Sequence, residues 1–287
     1  TNPLKDENTL KKTLKNIEAL GLEALIAIGG EDTLSVAHAL SKQGVNCVGV
    51  PKTIDKDLMG SDYTLGFGTA VDVIKQEIGR LRTTAGSHNR IFVAETMGRH
   101  AGHLALQGGI AGGACMILIP EFDFDTEKVL KILNDRKKQG ARYDILVVAE
   151  GAKPSKEGEI LASKKKDEFG HVRLGGVGKF LERKIQESGL GEVRCVVLSH
   201  LQRGGEPTQV DIRMGRAFGL AAAELVMRQD YGRMVSLRDN CITSIPMHEA
   251  IRRDRKGDIM LNLVNVEMEY DLDRYIAKRR VLNAKMY

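Results

Sequence analysis

Apolar residues along the chain fall into short β-rich runs separated by stretches of helical period, and this alternation predicts a parallel α/β architecture. Leu25-Ile26-Ala27-Ile28 runs into Gly29-Gly30, a helical stretch follows through Leu40, and Cys47-Val48-Gly49-Val50 completes a strand, turn, helix and strand. The pattern returns at residues 90–94, 116–119, 145–149 and 195–198, continuous hydrophobic runs of the kind buried on both faces of a parallel sheet. Helical segments lie between them at 70–81, 126–139 and 176–188. The fold class is α/β, doubly wound. Open sheets of this kind bind ligands beyond the carboxyl ends of their strands. The loops that matter are therefore 29–33, 51–57, 95–99, 150–153 and 199–205.

At 287 residues the chain is long enough for two domains, and 42% hydrophobic with 28% charged residues is the balance of a globular protein with a sizeable core. The formal charge of +5 is dispersed. Its richest runs, Lys164-Lys165-Lys166 and Arg252-Arg253-Asp254-Arg255-Lys256, carry no aromatics and read equally as solvated loops, so no nucleic-acid partner is expected. A small phosphorylated substrate explains the basic excess as well. No apolar stretch reaches the ~18 residues of a membrane span, and no membrane association is expected. The four cysteines, Cys47, Cys115, Cys195 and Cys241, show no CxxC spacing and read as buried thiols in a reducing cytoplasm, the expected location. The 31 glycines cluster in the loops, as a loop-built site requires.

Two of those loops carry acids where a phosphate would sit. Ile28-Gly29-Gly30-Glu31-Asp32-Thr33 ends a strand and opens a helix, so free backbone N–H groups face any bound anion. Its two carboxylates would repel a phosphate unless a Mg²⁺ ion bridged them to it; a plain helix-capping acid is the alternative. Pro51-Lys52-Thr53-Ile54-Asp55-Lys56-Asp57 repeats the arrangement after the next strand and adds two lysines. Asp55 could accept a proton from an attacking hydroxyl, Asp57 could support the metal, and Lys52 and Lys56 could neutralise a transferring phosphoryl group. A polar, mixed-charge turn explains either loop alone, but two on adjacent strands are much less common.

In order along the chain, GGEDT, PKTIDKDL followed by GSDYTLGFGTA, SHNRIFVAETMGR and VVLSHLQRGG resemble the signature of the 6-phosphofructokinase family, from about Ile26 to the helix after Gly205. The resemblance implies two doubly wound, three-layer α/β domains with the active site between them. It places a phosphoryl-donor domain at 1–66 plus 204–250 and a fructose 6-phosphate domain at 67–203 plus 251–287. It also implies Asp55 as catalytic base and Thr53 as a substrate-holding residue, with Lys52 and Arg99 beside the transferring group. Glu31 and Asp57 would organise Mg²⁺, although family members usually have Asp where this chain has Glu31. Gly30, Glu31, Asp32, Thr33 and Lys52 would line the donor. Met97, Gly98 and Arg99 match the loop approaching the transferring group, Glu150 the acid that binds sugar hydroxyls, and His200 and Arg203 the groups that hold the 6-phosphate. Arg90 and Arg194 match arginines that reach this site from a neighbouring subunit, so a homodimer or homotetramer is implied.

ATP-dependent members generally have Gly at the position of Asp32, because the nucleotide's α-phosphate passes close to the backbone there. Asp32 and Lys52 together resemble the pyrophosphate-dependent branch, and Lys56 departs from the Asn usual in this loop. The implied reaction is Mg²⁺-dependent transfer from pyrophosphate to the 1-hydroxyl of fructose 6-phosphate, giving fructose 1,6-bisphosphate in glycolysis. The alternatives are ATP as donor, or a non-catalytic subunit or fragment, since the glycine-rich N-terminal strand and loop of the family are expected to be missing here. Intact Glu31, Thr53, Asp55 and Asp57 argue against a subunit relieved of chemistry. A dinucleotide-binding oxidoreductase shares the fold class, but GGEDT lacks the third glycine of GxGxxG.

Overall fold

The computed structural model describes residues 2–156, 158, 161–166 and 172–278, of which 161–166 and 172–174 are described as backbone only. The chain divides into two compact units. One is built mainly from residues 2–67 and Pro207–Asn262, the other mainly from residues 68–165, 172–206 and 263–278.

The first unit opens with α1 (Glu7–Ala19), β1 (Leu25–Gly29), α2 (Glu31–Lys42) and β2 (Cys47–Pro51). The second runs through α3 (Phe67–His88), β3 (Ile91–Thr96), α4 (His103–Gly112), β4 (Met116–Leu118), α5 (Thr126–Lys138) and β5 (Asp144–Ala149). It continues with β6 (Leu161–Lys166), β7 (Val172–Leu174), α6 (Val177–Glu187), β8 (Val193–Val197) and a 3₁₀ turn at Ser199–Arg203. The chain then returns to the first unit through α7 (Gln209–Met227), β9 (Arg233–Arg238), β10 (Cys241–Pro246) and α8 (Met247–Ala250).

In the first unit the sheet order is β1-β2-β9-β10, with only the β9–β10 pair antiparallel. Strand alternation sends Val48, Val50 and Val235 to Met214, Phe218 and Ala222 of α7. Cys47 turns the other way, to Ala37 and Leu40 of α2, where Leu34 also meets Met234. Helices thus cover both faces. The second unit has the order β4-β5-β3-β8, all parallel, with β6 and β7 forming a separate two-stranded sheet.

Every residue of β2, β3, β4 and β5 is buried, as the continuous apolar runs require. The same expectation fails for the run at 195–198. β8 is the outer strand of its sheet and leaves Val197 47% exposed, and β1, outer in the other sheet, leaves Ile26 and Ile28 exposed. The reading of four buried thiols also needs correction: Cys47 is buried, Cys115 and Cys195 are half-buried, and Cys241 on the hairpin strand β10 is exposed. Of the two basic runs, residues 252–256 form an exposed turn in which the Asp254 carboxylate accepts the N–H groups of Lys256 and Asp258. The side chains of Lys164, Lys165 and Lys166 lie outside the described residues. Among the described residues no helix is long and apolar enough to cross a membrane.

Candidate active site

The loops after β1 and β2 run side by side. Lys52 N–H donates to the Gly29 carbonyl at 3.0 Å, and a Cβ on Gly30 would lie 3.5 Å from that of Thr53. Gly30, Glu31, Asp32, Thr33, Lys52, Thr53, Asp55 and Asp57 therefore share one edge of the sheet, with Glu31 and Asp32 in the first turn of α2. The Thr53 hydroxyl accepts the Asp55 N–H at 3.2 Å, and its carbonyl accepts the hydroxyl of fully buried Thr64 at 2.7 Å. That second segment is tied down in turn, because the Asp211 carboxylate on α7 accepts both the Tyr63 hydroxyl and the Gly66 N–H at 2.8 Å. From the other side Asn262 donates its backbone N–H to the Asp57 carbonyl at 2.8 Å and its side-chain amide to the Lys56 carbonyl at 3.1 Å. Thr64, Asp211 and Asn262 hold the loop in shape, and sequence reasoning passed over all three.

Asp57 is the electrostatic centre of this group. Its Oδ1 is buried and accepts no hydrogen bond among the described residues. Burial pushes its carboxyl up to about 7, and the negative charges of Asp55, Glu31 and Asp32 push the same way. A buried, unpartnered carboxylate oxygen among other acids is the environment a divalent cation relieves, so the residues fit Mg²⁺. Among the described residues no group of three or more His, Cys, Asp or Glu side chains could chelate a metal by itself. The fit is to an ion that takes one or two carboxylates and completes its shell with water and phosphate oxygens.

Lys56 gains an explanation beyond charge. Its φ of 55° is left-handed, a conformation that favours Asn over Lys. Its ammonium stands 5.3 Å from the centre of the Phe67 ring, a cation–π contact that compensates part of the strain. Lys52 is exposed at the loop surface.

In the second unit the predicted residues separate into two groups. Met97, Gly98 and Arg99 follow β3, Glu150 follows β5, and His200 and Arg203 lie in the 3₁₀ turn after β8, so all six occupy the carboxyl edge of the parallel sheet. Gly98 takes a φ of 124°, and Gly151 donates to its carbonyl at 3.2 Å. Any Cβ on Gly151 would collide with the Arg99 carbonyl, so only glycine lets these two loops meet. Gln202, 1% exposed, joins the third loop to the first: its Oε1 accepts the Met97 N–H at 3.2 Å and its amide donates to the Ser199 carbonyl at 2.9 Å. This residue stood in the SHLQRGG motif, and its neutral side chain gave no chemical signal. His200 and Arg203 are exposed, and the His200 Nδ1 lies 3.0 Å from the Ser199 hydroxyl.

Arg90 and Arg194 lie at the opposite, amino edge, where both reach Glu192, Arg90 at 2.7 Å and Arg194 at 2.5 Å. Arg90, then the Arg194 ion pair, hold the Glu192 carboxyl below the usual range. A six-residue strand such as β3 spans roughly 20 Å, so these arginines and the carboxyl-edge group cannot serve one anion within one chain.

A family model described as Phosphofructokinase matches residues 1–226. The chain belongs to the phosphofructokinase family. It is a phosphotransferase, as the members of that family are. The pyrophosphate–fructose 6-phosphate 1-phosphotransferase of Streptomyces coelicolor is 50% identical over 260 residues, 90% of this chain and 75% of that protein. The ATP-dependent 6-phosphofructokinase of Chloroflexus aurantiacus (strain ATCC 29366 / DSM 635 / J-10-fl) is 45% identical over 250 residues, 87% of this chain and 68% of that protein. The crystal structure of the pyrophosphate-dependent phosphofructokinase from Marinobacter aquaeolei matches with a TM-score of 0.77, covering 96% of this chain and 70% of that one. At 23% identity this last likeness speaks for the phosphofructokinase fold alone.

Proposed function

We propose that the protein transfers a phosphoryl group from pyrophosphate to the 1-hydroxyl of fructose 6-phosphate, giving fructose 1,6-bisphosphate as a step of glycolysis in the cytoplasm. The observation that supports this reading best is the acid cluster of the first unit, with the Asp55 N–H bonded to the Thr53 hydroxyl and one carboxylate oxygen of half-buried Asp57 enclosed among other acids. Asp55 takes the proton of the attacking hydroxyl. Thr53 fixes the turn that presents Asp55 and offers its hydroxyl to the substrate. Glu31 and Asp57 would hold Mg²⁺, which when bound neutralises the charge of the donor's phosphate oxygens. Lys52 supplies a further positive charge to the donor beside Gly30, Asp32 and Thr33, and Arg99 supplies one to the transferring group.

The carboxyl edge of the second unit is the sugar-phosphate site in this reading. Met97 and Gly98 line it, Glu150 accepts sugar hydroxyls, and His200 and Arg203 hold the 6-phosphate. The two units are the donor and sugar-phosphate domains in this reading. Arg90 and Arg194 serve the corresponding site of a second copy, which makes the working enzyme a homodimer or homotetramer.

Pyrophosphate is preferred as donor because the Asp32 carboxylate adds bulk and negative charge where a nucleotide's α-phosphate would pass. One observation favours ATP instead. Asp32 and Thr33 border a cavity of about 240 Å³ otherwise walled by apolar groups, among them Leu25, Ala27, Val36 and Leu40, surroundings that suit a nucleobase.

The reaction is tested by following fructose 1,6-bisphosphate formation from fructose 6-phosphate, Mg²⁺ and pyrophosphate with wild type and Asp55→Ser. Turnover should fall by at least ~10²-fold, the lower range for a general base, while fructose 6-phosphate binding changes far less. Near-normal turnover in the variant removes Asp55 from the mechanism.

A further inference from the structure

A second cavity in the first unit, about 460 Å³, has no acid-cluster residue in its walls and is lined by Met59, Gly60, Arg238, His248, Glu249, Arg252 and Met260. Its volume is in the range of small-molecule sites. Three of the seven lining residues are basic types, against one acid. Among the described residues neither Arg238 nor Arg252 forms an ion pair, whereas Arg90, Arg136, Arg194 and Arg233 each have a carboxylate partner. Arg238 is nonetheless held in place, because its Nε donates to the Gly60 carbonyl at 3.2 Å, and this leaves its outer N–H groups for a ligand. Gly60 itself has a φ of 78° and sits so close to the Ile245 side chain that a Cβ would collide, so only glycine fits at this point of the lining. Met59 and Met260 provide adaptable apolar walls.

The cavity is also wired to the loop that carries Asp55. Met59 and Gly60 follow Asp57 by two and three residues. Two residues past Met260, Asn262 donates to the carbonyls of both Asp57 and Lys56. A ligand that draws Met260 and Gly60 together acts on Lys56 and Asp57, at the carboxyl end of the loop of residues 52–57.

We propose that this cavity is a second anion-binding site, for a phosphate monoester with a short hydroxylated body, and that its occupancy stiffens the loop of residues 52–57. The two guanidinium groups match phosphate oxygens, the volume exceeds what bare phosphate fills, and Glu249 accepts from a hydroxyl of the ligand.

Glycerol 3-phosphate is the probe. Calorimetric titration into the wild-type protein, with and without saturating fructose 6-phosphate, should show a binding event that survives the sugar phosphate. Inorganic phosphate should bind more weakly. The double change Arg238→Gln with Arg252→Gln affects exposed side chains, so folding should be preserved, and it should weaken glycerol 3-phosphate at least ~10-fold by removing charged hydrogen bonds. Arg252→Gln alone should lie between. Hydrogen exchange of residues 52–57 should slow with glycerol 3-phosphate in the wild type and not in the double variant. The site is refuted if no binding occurs at millimolar concentration, if fructose 6-phosphate abolishes it, or if the double variant binds equally well. Binding without slowed exchange refutes the link to the loop.

Discussion

Gln202 accepts the backbone N–H of Met97 at 3.2 Å from a side chain that is 1% exposed. Through this contact, and the 2.9 Å bond from its amide to the Ser199 carbonyl, the turn bearing His200 and Arg203 is locked to the loop bearing Gly98 and Arg99. Gly98 and Arg99 lie outside any helix or strand and His200 and Arg203 on a single short 3₁₀ segment, so a buried tie helps to set their separation.

Gln202→Met keeps the volume and removes both bonds. Leaving the half-buried Met97 N–H without its partner should cost about 1 kcal/mol of stability. In our reading the bond positions two loops that hold the sugar phosphate, so KM for fructose 6-phosphate should rise about tenfold while KM for the donor moves little. An equal change in both constants would make Gln202 a merely structural residue.

Arg90 and Arg194 both end on Glu192, at the sheet edge opposite the groups that bind the sugar phosphate in our reading. If they serve a neighbouring copy, the 6-phosphate must take the place of Glu192. Mixing inactive Arg194→Ala subunits with inactive Asp55→Ser subunits should restore measurable activity through hybrid sites. Verified hybrids without activity would end the idea of shared sites.

Glu121 offers a pH test within the second unit. Its Oε1 accepts the N–H groups of Gly102 at 2.8 Å and Val264 at 2.9 Å, while Oε2 is buried without a partner among the described residues, and burial raises the carboxyl above its ordinary value. A raised folded-state value means that its favourable contribution is complete below the unfolded carboxylate value and is lost as pH rises through the folded one. Glu121→Gln keeps an acceptor and drops the charge. The melting temperature of the variant relative to wild type should therefore be higher at pH 7 than at pH 4. A difference that does not change with pH would show that the charge has no part in it.

Much of this architecture could be read from the chain because buried parallel strands leave uninterrupted apolar runs. β2, β3 and β5 are examples, and the chemistry sits in the loops that follow them. The same run cannot tell a central strand from an outer one, which is why exposure at Ile26, Ile28 and Val197 was not foreseen. The β9–β10 hairpin had a signal that was overlooked: Asp239-Asn240, with φ of 49° and 61°, is a two-residue turn of the type that needs both residues left-handed. Charged site residues announced themselves by type. Neutral Thr64, Gln202 and Asn262 did not, and neither did the acid Asp211, because these four tie loop segments together through partners that only the folded chain brings near. The edge on which Arg90 and Arg194 stand followed only from strand direction and register.

The choice of donor rests on Asp32, at the first turn of α2 and at the border of the apolar cavity. The direct measurement is kcat/KM for pyrophosphate and for ATP, each with fructose 6-phosphate and Mg²⁺, in the wild type and in Asp32→Gly. Wild type should favour pyrophosphate, and Asp32→Gly should shift the ratio toward ATP by removing bulk and charge together, with Lys52 limiting the gain. A wild-type enzyme that prefers ATP, or a ratio that Asp32→Gly leaves unchanged, would contradict the assignment of pyrophosphate as donor.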